Sequence, residues 1–107
     1  MTTFDDREHA FEAKFAHDAE MQFKAEARRN RLLGLWAAGL LGKTGAEADA
    51  YAREIITTDF QEAGDEDVFR RLRADLIGKA DDQEIRAQMQ ALMGQAKGQI
   101  LSESNIP

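Results

Sequence analysis

The stretch Leu35-Trp36-Ala37-Ala38-Gly39-Leu40-Leu41-Gly42-Lys43-Thr44-Gly45-Ala46-Glu47 decides the fold, because it reads in two incompatible ways. From Ala37 to Thr44 it satisfies a relaxed phosphate-loop pattern, with Ala37 standing for the first glycine. That reading needs backbone N–H groups cradling phosphates, Lys43 on their charge and Thr44 on Mg²⁺, all between a strand and a helix. No strand pattern precedes it: Leu32, Leu33, Trp36, Leu40 and Leu41 recur at helical spacing up to the glycine. The other reading is the end of one helix and the start of the next. Gly42 serves as a C-terminal cap, and Thr44 with Glu47 forms a capping box. On this second reading the chain is all-α.

Downstream, a helical pattern places Ala48, Tyr51, Ala52, Ile55, Ile56 and Phe60 on one face and ends near Gly64. Asp65 caps the next helix, with Val68, Phe69, Leu72, Leu76 and Ile77 inward and Arg70, Arg71, Arg73 and Asp75 mostly outward. Gly78 weakens its end. Asp81, with Glu84 three residues later, starts the last helix, whose apolar face is Ile85, Met89, Leu92, Met93, Ala96 and Ile100. Upstream, Ala25, Arg28/Arg29, Leu32 and Leu33 extend the first pattern back to Asp18–Glu20, which either interrupts it or is run through. Short connections favour antiparallel neighbours. The expectation is an up-and-down four-helix bundle over residues 21–107, preceded by an amphipathic helical segment over 1–20.

That leading segment carries Phe4, Phe11 and Phe15 on one stripe, within about 40° at 100° per residue. Burying three Phe rings gives roughly 5–9 kcal/mol, whereas ordering some 15 backbone residues costs at least as much. So thin a stripe does not hold a helix of this length alone. Two readings follow. The segment is an inserting helical ligand, ordered when docked and loose when not, or the stripe packs permanently as one more helix of the bundle.

The chain has 107 residues and a net charge of −6, distributed unevenly. Residues 1–20 hold six acids against two bases, 21–43 one acid against five bases, and 44–107 thirteen acids against seven bases. An acidic total argues against nucleic acid as the main partner. Lys24, Arg28, Arg29 and Arg31, in the basic island, form either a patch for an acidic protein surface or a solvated helix face. No apolar run approaches bilayer length, and the polar start argues against an export signal. With no cysteine there is neither a disulfide framework nor a thiol nucleophile. A cytoplasmic monomer without a cofactor is expected. His9 and His17, eight residues apart, do not share a face as a chelate at i, i+4 does, so no metal site is expected. The acids Asp65-Glu66-Asp67 and Asp81-Asp82 sit at helix starts, where the dipole favours them, and no catalytic constellation is assigned.

Particular residues go further than periodicity. Phe4-Asp5-Asp6-Arg7-Glu8, Phe11-Glu12-Ala13-Lys14-Phe15-Ala16-His17-Asp18, Phe23-Lys24-Ala25-Glu26-Ala27-Arg28-Arg29-Asn30, Leu32-Leu33-Gly34-Leu35-Trp36-Ala37-Ala38 and Gly64-Asp65-Glu66-Asp67-Val68 resemble the zeta subunit family of alphaproteobacterial F-type ATP synthases. The resemblance covers nearly the whole chain. It departs from the family at Gly39, where an acidic residue is usual, and at Ala63, where proline is common. The resemblance implies a small helical bundle that inhibits ATP hydrolysis, located in the cytoplasm at the inner membrane through the synthase. It also implies an inhibitory N-terminal segment that wedges between catalytic and non-catalytic subunits against the central stalk. The residues that match that segment are Phe4, Asp5, Arg7, Glu8, Phe11, Lys14 and Phe15. Two other readings stay open: a helical adaptor using the same segment on another partner, and a weak adenine-nucleotide module at Gly42, Lys43 and Thr44. Co-purification with the synthase separates the first, and titration with ATP and Mg²⁺ the second.

Overall fold

The computed structural model describes residues 19–58 and 65–104. They form four helices: α1 (Ala19–Leu40), α2 (Gly45–Thr58), α3 (Glu66–Asp75) and α4 (Asp82–Ser104). No strand occurs among the described residues, and the fold is the expected all-α bundle. The expectations for residues 1–18, for Phe60 and for a helix end near Gly64 lie outside the described residues.

The α1–α2 junction settles the two readings of Ala37–Glu47. Gly42 takes φ +76°, a left-handed conformation that side chains with a Cβ rarely adopt. Around it the Lys43 N–H donates to the Ala38 carbonyl at 2.8 Å, and the Gly42 N–H to the Gly39 carbonyl at 3.2 Å. These are the 6→1 and 5→2 bonds of a Schellman cap. α2 then begins, with the Thr44 carbonyl accepting from the N–H groups of Glu47 and Ala48 at 3.2 and 3.5 Å. The expected capping box is replaced there by backbone bonding, since Gly45 at φ +55° departs from the right-handed start such a box requires.

Cross-helix contacts fix the topology. Arg28 reaches Glu103, while Leu33 and Ala37 share a cluster with Ile85 and Met89, so α1 and α4 run antiparallel. Tyr51 Oη donates to Asp75 Oδ2 at 2.7 Å and Arg71 lies 3.7 Å from Glu54, which makes α2 and α3 antiparallel. Arg86 with Glu66 and Arg73 with Asp82 do the same for α3 and α4. The up-and-down order follows.

Among the described residues, two clusters of unequal size hold the bundle. The larger contains Leu33, Ala37, Tyr51, Ile55, Val68, Leu72, Leu76, Ile85 and Met89, with Trp36 and Leu92 packed against it. The smaller is Ala25 and Ile100 with Met21 and Met93, joining the start of α1 to the end of α4. α1 and α2 approach closely at Gly34, where an added Cβ would lie 2.5 Å from the Ala52 Cα. Burial and then the bond to Asp75 push the Tyr51 hydroxyl above its ordinary range, so it stays a neutral donor.

Two local expectations are corrected. Ile77 is 79% exposed rather than inward, because α3 closes at Asp75 and Leu76 is already its C-terminal cap. Ile77 therefore follows the last helical position and leaves the buried face. Asp65 stands at the N-cap of α3 without a side-chain capping bond. Its carboxylate is turned to Arg29 instead.

Candidate partner-binding surfaces

Phe4, Asp5, Arg7, Glu8, Phe11, Lys14 and Phe15 all lie outside the described residues. The basic island does not, and the structure divides it. Lys24, Arg28 and Arg31 recur at i, i+4 and i+7 on one side of α1 and line a groove of about 550 Å³ with Phe23, Ala27, Ile56, Ile100 and Glu103. Arg29, one position off this row, points into the protein.

Arg29 is only 2% exposed. Its Nη2 donates to Asp65 Oδ1 at 2.9 Å and its Nε to Asn30 Oδ1 at 3.0 Å. The hydrogen bond from Arg29 holds the Asp65 carboxyl below its ordinary value, against the opposing effect of burial. Arg29 therefore ties α1 to the start of α3 and does not face a partner, which corrects its inclusion in the patch. The signal was present in the sequence. Arg29 is in register with Ala25, Leu33 and Ala37 at steps of four, and all three are buried. A guanidinium in the middle of an apolar stripe is either paired or expelled, and Asp65 supplies the pairing.

The remaining row is graded in availability. Lys24 pairs with Glu20 at 3.3 Å, both side chains largely exposed. Arg28 makes a two-pronged contact with Glu103 at 2.7 and 2.9 Å and a third bond to Gln99 at 2.9 Å. The bond to Glu103 raises the Arg28 pKa and lowers that of Glu103. Arg31 is exposed and has no ion pair among the described residues. Beside this charged row Phe23 is 54% exposed, so the groove offers apolar and cationic surface together.

A second groove, about 630 Å³, lies between α1, the start of α3 and α4, and is lined by Arg29, Asp65, Glu66, Arg86, Met89, Met93 and Lys97 among others. Its charges are largely matched in place. Arg86 bonds Glu66 at 2.9 and 3.1 Å and stacks 3.7 Å from the centroid of Phe69.

Gly42, Lys43 and Thr44 form the turn between α1 and α2. The N–H groups of Gly42 and Lys43 are committed to the α1 cap, and the Lys43 ammonium lies 6.0 Å from the centroid of the Tyr51 ring. Among the described residues no group of three or more His, Cys, Asp or Glu side chains is placed to hold a metal ion. No described helix is long and apolar enough to cross a membrane.

The described residues form a small all-helical protein, an antiparallel bundle carrying a mixed apolar and cationic groove on its first helix. A family model described as ATPase inhibitor subunit zeta matches residues 1–99. The chain belongs to that family. It is similar to a protein solved by solution NMR, with 57% identity and a TM-score of 0.73, over 78% of this chain and 98% of that one. No curated protein matches it significantly.

Proposed function

We propose that the chain restrains ATP hydrolysis by an F-type ATP synthase through obstruction. Residues 4–15 are the inserting element, and the bundle positions them. The observation that carries this reading is the reach of the family match, which begins at residue 1 and includes the whole Phe stripe.

A rotary enzyme opens and closes its subunit interfaces in sequence, so a helix lodged between catalytic and non-catalytic subunits against the central stalk stops turnover without chemistry of its own. No cofactor is needed. Lys24, Arg28 and Arg31 supply a second contact for an acidic surface of the catalytic head. The protein acts as a monomer, at the cytoplasmic side of the inner membrane through the synthase.

The test is hydrolysis by the matching ATPase with added protein. Deleting residues 1–18 abolishes inhibition and leaves the helical signal and melting transition in place. Phe11→Ala and Phe15→Ala each weaken inhibition more than Asp6→Ala, since truncating a buried Phe costs about 3–5 kcal/mol and an exposed ion pair contributes under about 1 kcal/mol. A truncated chain that inhibits as well as the full one, or Phe variants that lose stability and inhibition in parallel, would overturn the reading.

A further inference from the structure

We propose that, in the free protein, the groove beside the first half of α1 receives residues 4–15 of the same chain. The Phe stripe seats on the apolar floor and the carboxylates meet the basic wall. The floor is Phe23, Ala27 and Ile56, and the wall is Lys24, Arg28 and Arg31. Glu103, the carboxylate on this lining, is already held by Arg28.

Three observations select this occupant. Charge is complementary: residues 1–20 hold six acids and two bases, opposite a wall whose Arg31 has no ion pair among the described residues. The other groove is a poor match for an acidic segment, because Asp65 and Glu66 stand on its own lining. Length is complementary too. As a helix, Phe4 to Phe15 spans about 16 Å and Phe23 to Arg31 about 12 Å along α1. The three residues between Phe15 and Ala19 reach roughly 10 Å, enough to turn the chain back beside the helix it leads into. Tethering also places the segment at an effective concentration on the order of millimolar. A contact too weak to join separate molecules is then well populated.

The consequence for regulation rests on the inhibitor reading. One basic row serves two occupants, the chain's own segment when free and an acidic surface of the synthase when bound. Engagement of the patch by the synthase then displaces residues 4–15 and releases the stripe for insertion.

The full chain has no cysteine, so Ala13→Cys takes a single nitroxide on the face opposite the Phe stripe. In the ¹H–¹⁵N spectrum the amides of Phe23, Ala27, Arg31 and Ile56 should lose most of their intensity relative to the reduced label, while Gln83 at the far end of α4 keeps its own. The loss should be unchanged on dilution. It should be reversed by Phe11→Ala with Phe15→Ala, and separately by Lys24→Glu with Arg31→Glu. Absent or evenly spread broadening would overturn the proposal, as would broadening that grows with concentration, which marks a second copy as the occupant. Hydrolysis assays on the unlabelled chain are read independently. Docking without inhibition would refute the inhibitor reading alone, and inhibition without docking the groove proposal alone.

Discussion

Gly34 and Gly94 are both inside helices, yet a methyl group meets opposite surroundings at the two positions. At Gly34 it would press to 2.5 Å from the Ala52 Cα, a backbone atom that moves only if α2 moves. At Gly94 it meets nothing within 4 Å. Gly34→Ala should therefore destabilise by about 1–3 kcal/mol through overpacking, lowering Tm by roughly 5 °C or more. Gly94→Ala should stabilise by about 0.5–1 kcal/mol, because alanine loses less backbone entropy in a helix. Thermal denaturation of the two variants side by side checks both signs. At this scale the sequence was legible where a residue's chemistry matched its register and misleading where the two disagreed. Leu33 and Ile55 were readable as core. Arg29 was not, since its charge argued for the surface while its position argued for the interior, and the partner that decides the matter is 36 residues away.

The helices owe their limits to a few polar contacts. At the start of α4 the capping box is formed in both directions: the Glu84 N–H donates to Asp81 Oδ1 at 2.8 Å, and the Asp81 N–H to Glu84 Oε1 at 3.4 Å. Asp81→Ala should cost about 1 kcal/mol. Glu84→Ala should cost less, since its bond is longer; urea denaturation midpoints give the order. This box was readable because both partners lie within four residues. The end of α3 was not. Apolar residues continue through Leu76 and Ile77, so periodicity alone extends the buried face, but the backbone closes at Leu76 and leaves Ile77 in water. The side-chain pattern does not say where that closure falls.

Among the described residues of the whole molecule, three carboxylates are held below their ordinary range, each first by a hydrogen bond from an arginine on another helix: Asp65 by Arg29, Glu66 by Arg86 and Glu103 by Arg28. Carboxylates with lowered values contribute stability above their unfolded pKa and lose it as pH falls through the folded one. The bundle should thus hold its stability down to about pH 4 and lose it below. Asp65→Asn should flatten that acid limb while lowering the plateau at neutral pH, because the amide leaves Arg29 buried without its counter-charge. Melting midpoints measured against pH show both effects. The groove itself was partly legible. The row Lys24, Arg28 and Arg31 could be read from spacing, but Ile56 and Ile100 come from distant elements, and only the antiparallel return of α2 and α4 brings them beside α1.

The unequal clusters give the molecule a gradient of protection. Amides in the middle of α1 are covered by the main cluster and should exchange with solvent only when the whole bundle opens. Those near Ala25 are sealed by one small cluster and the Arg28–Glu103 clasp, and are positioned to exchange by a smaller, local opening. Opening at the start of α1 should thus cost less than opening its middle, so that end can yield without melting the rest.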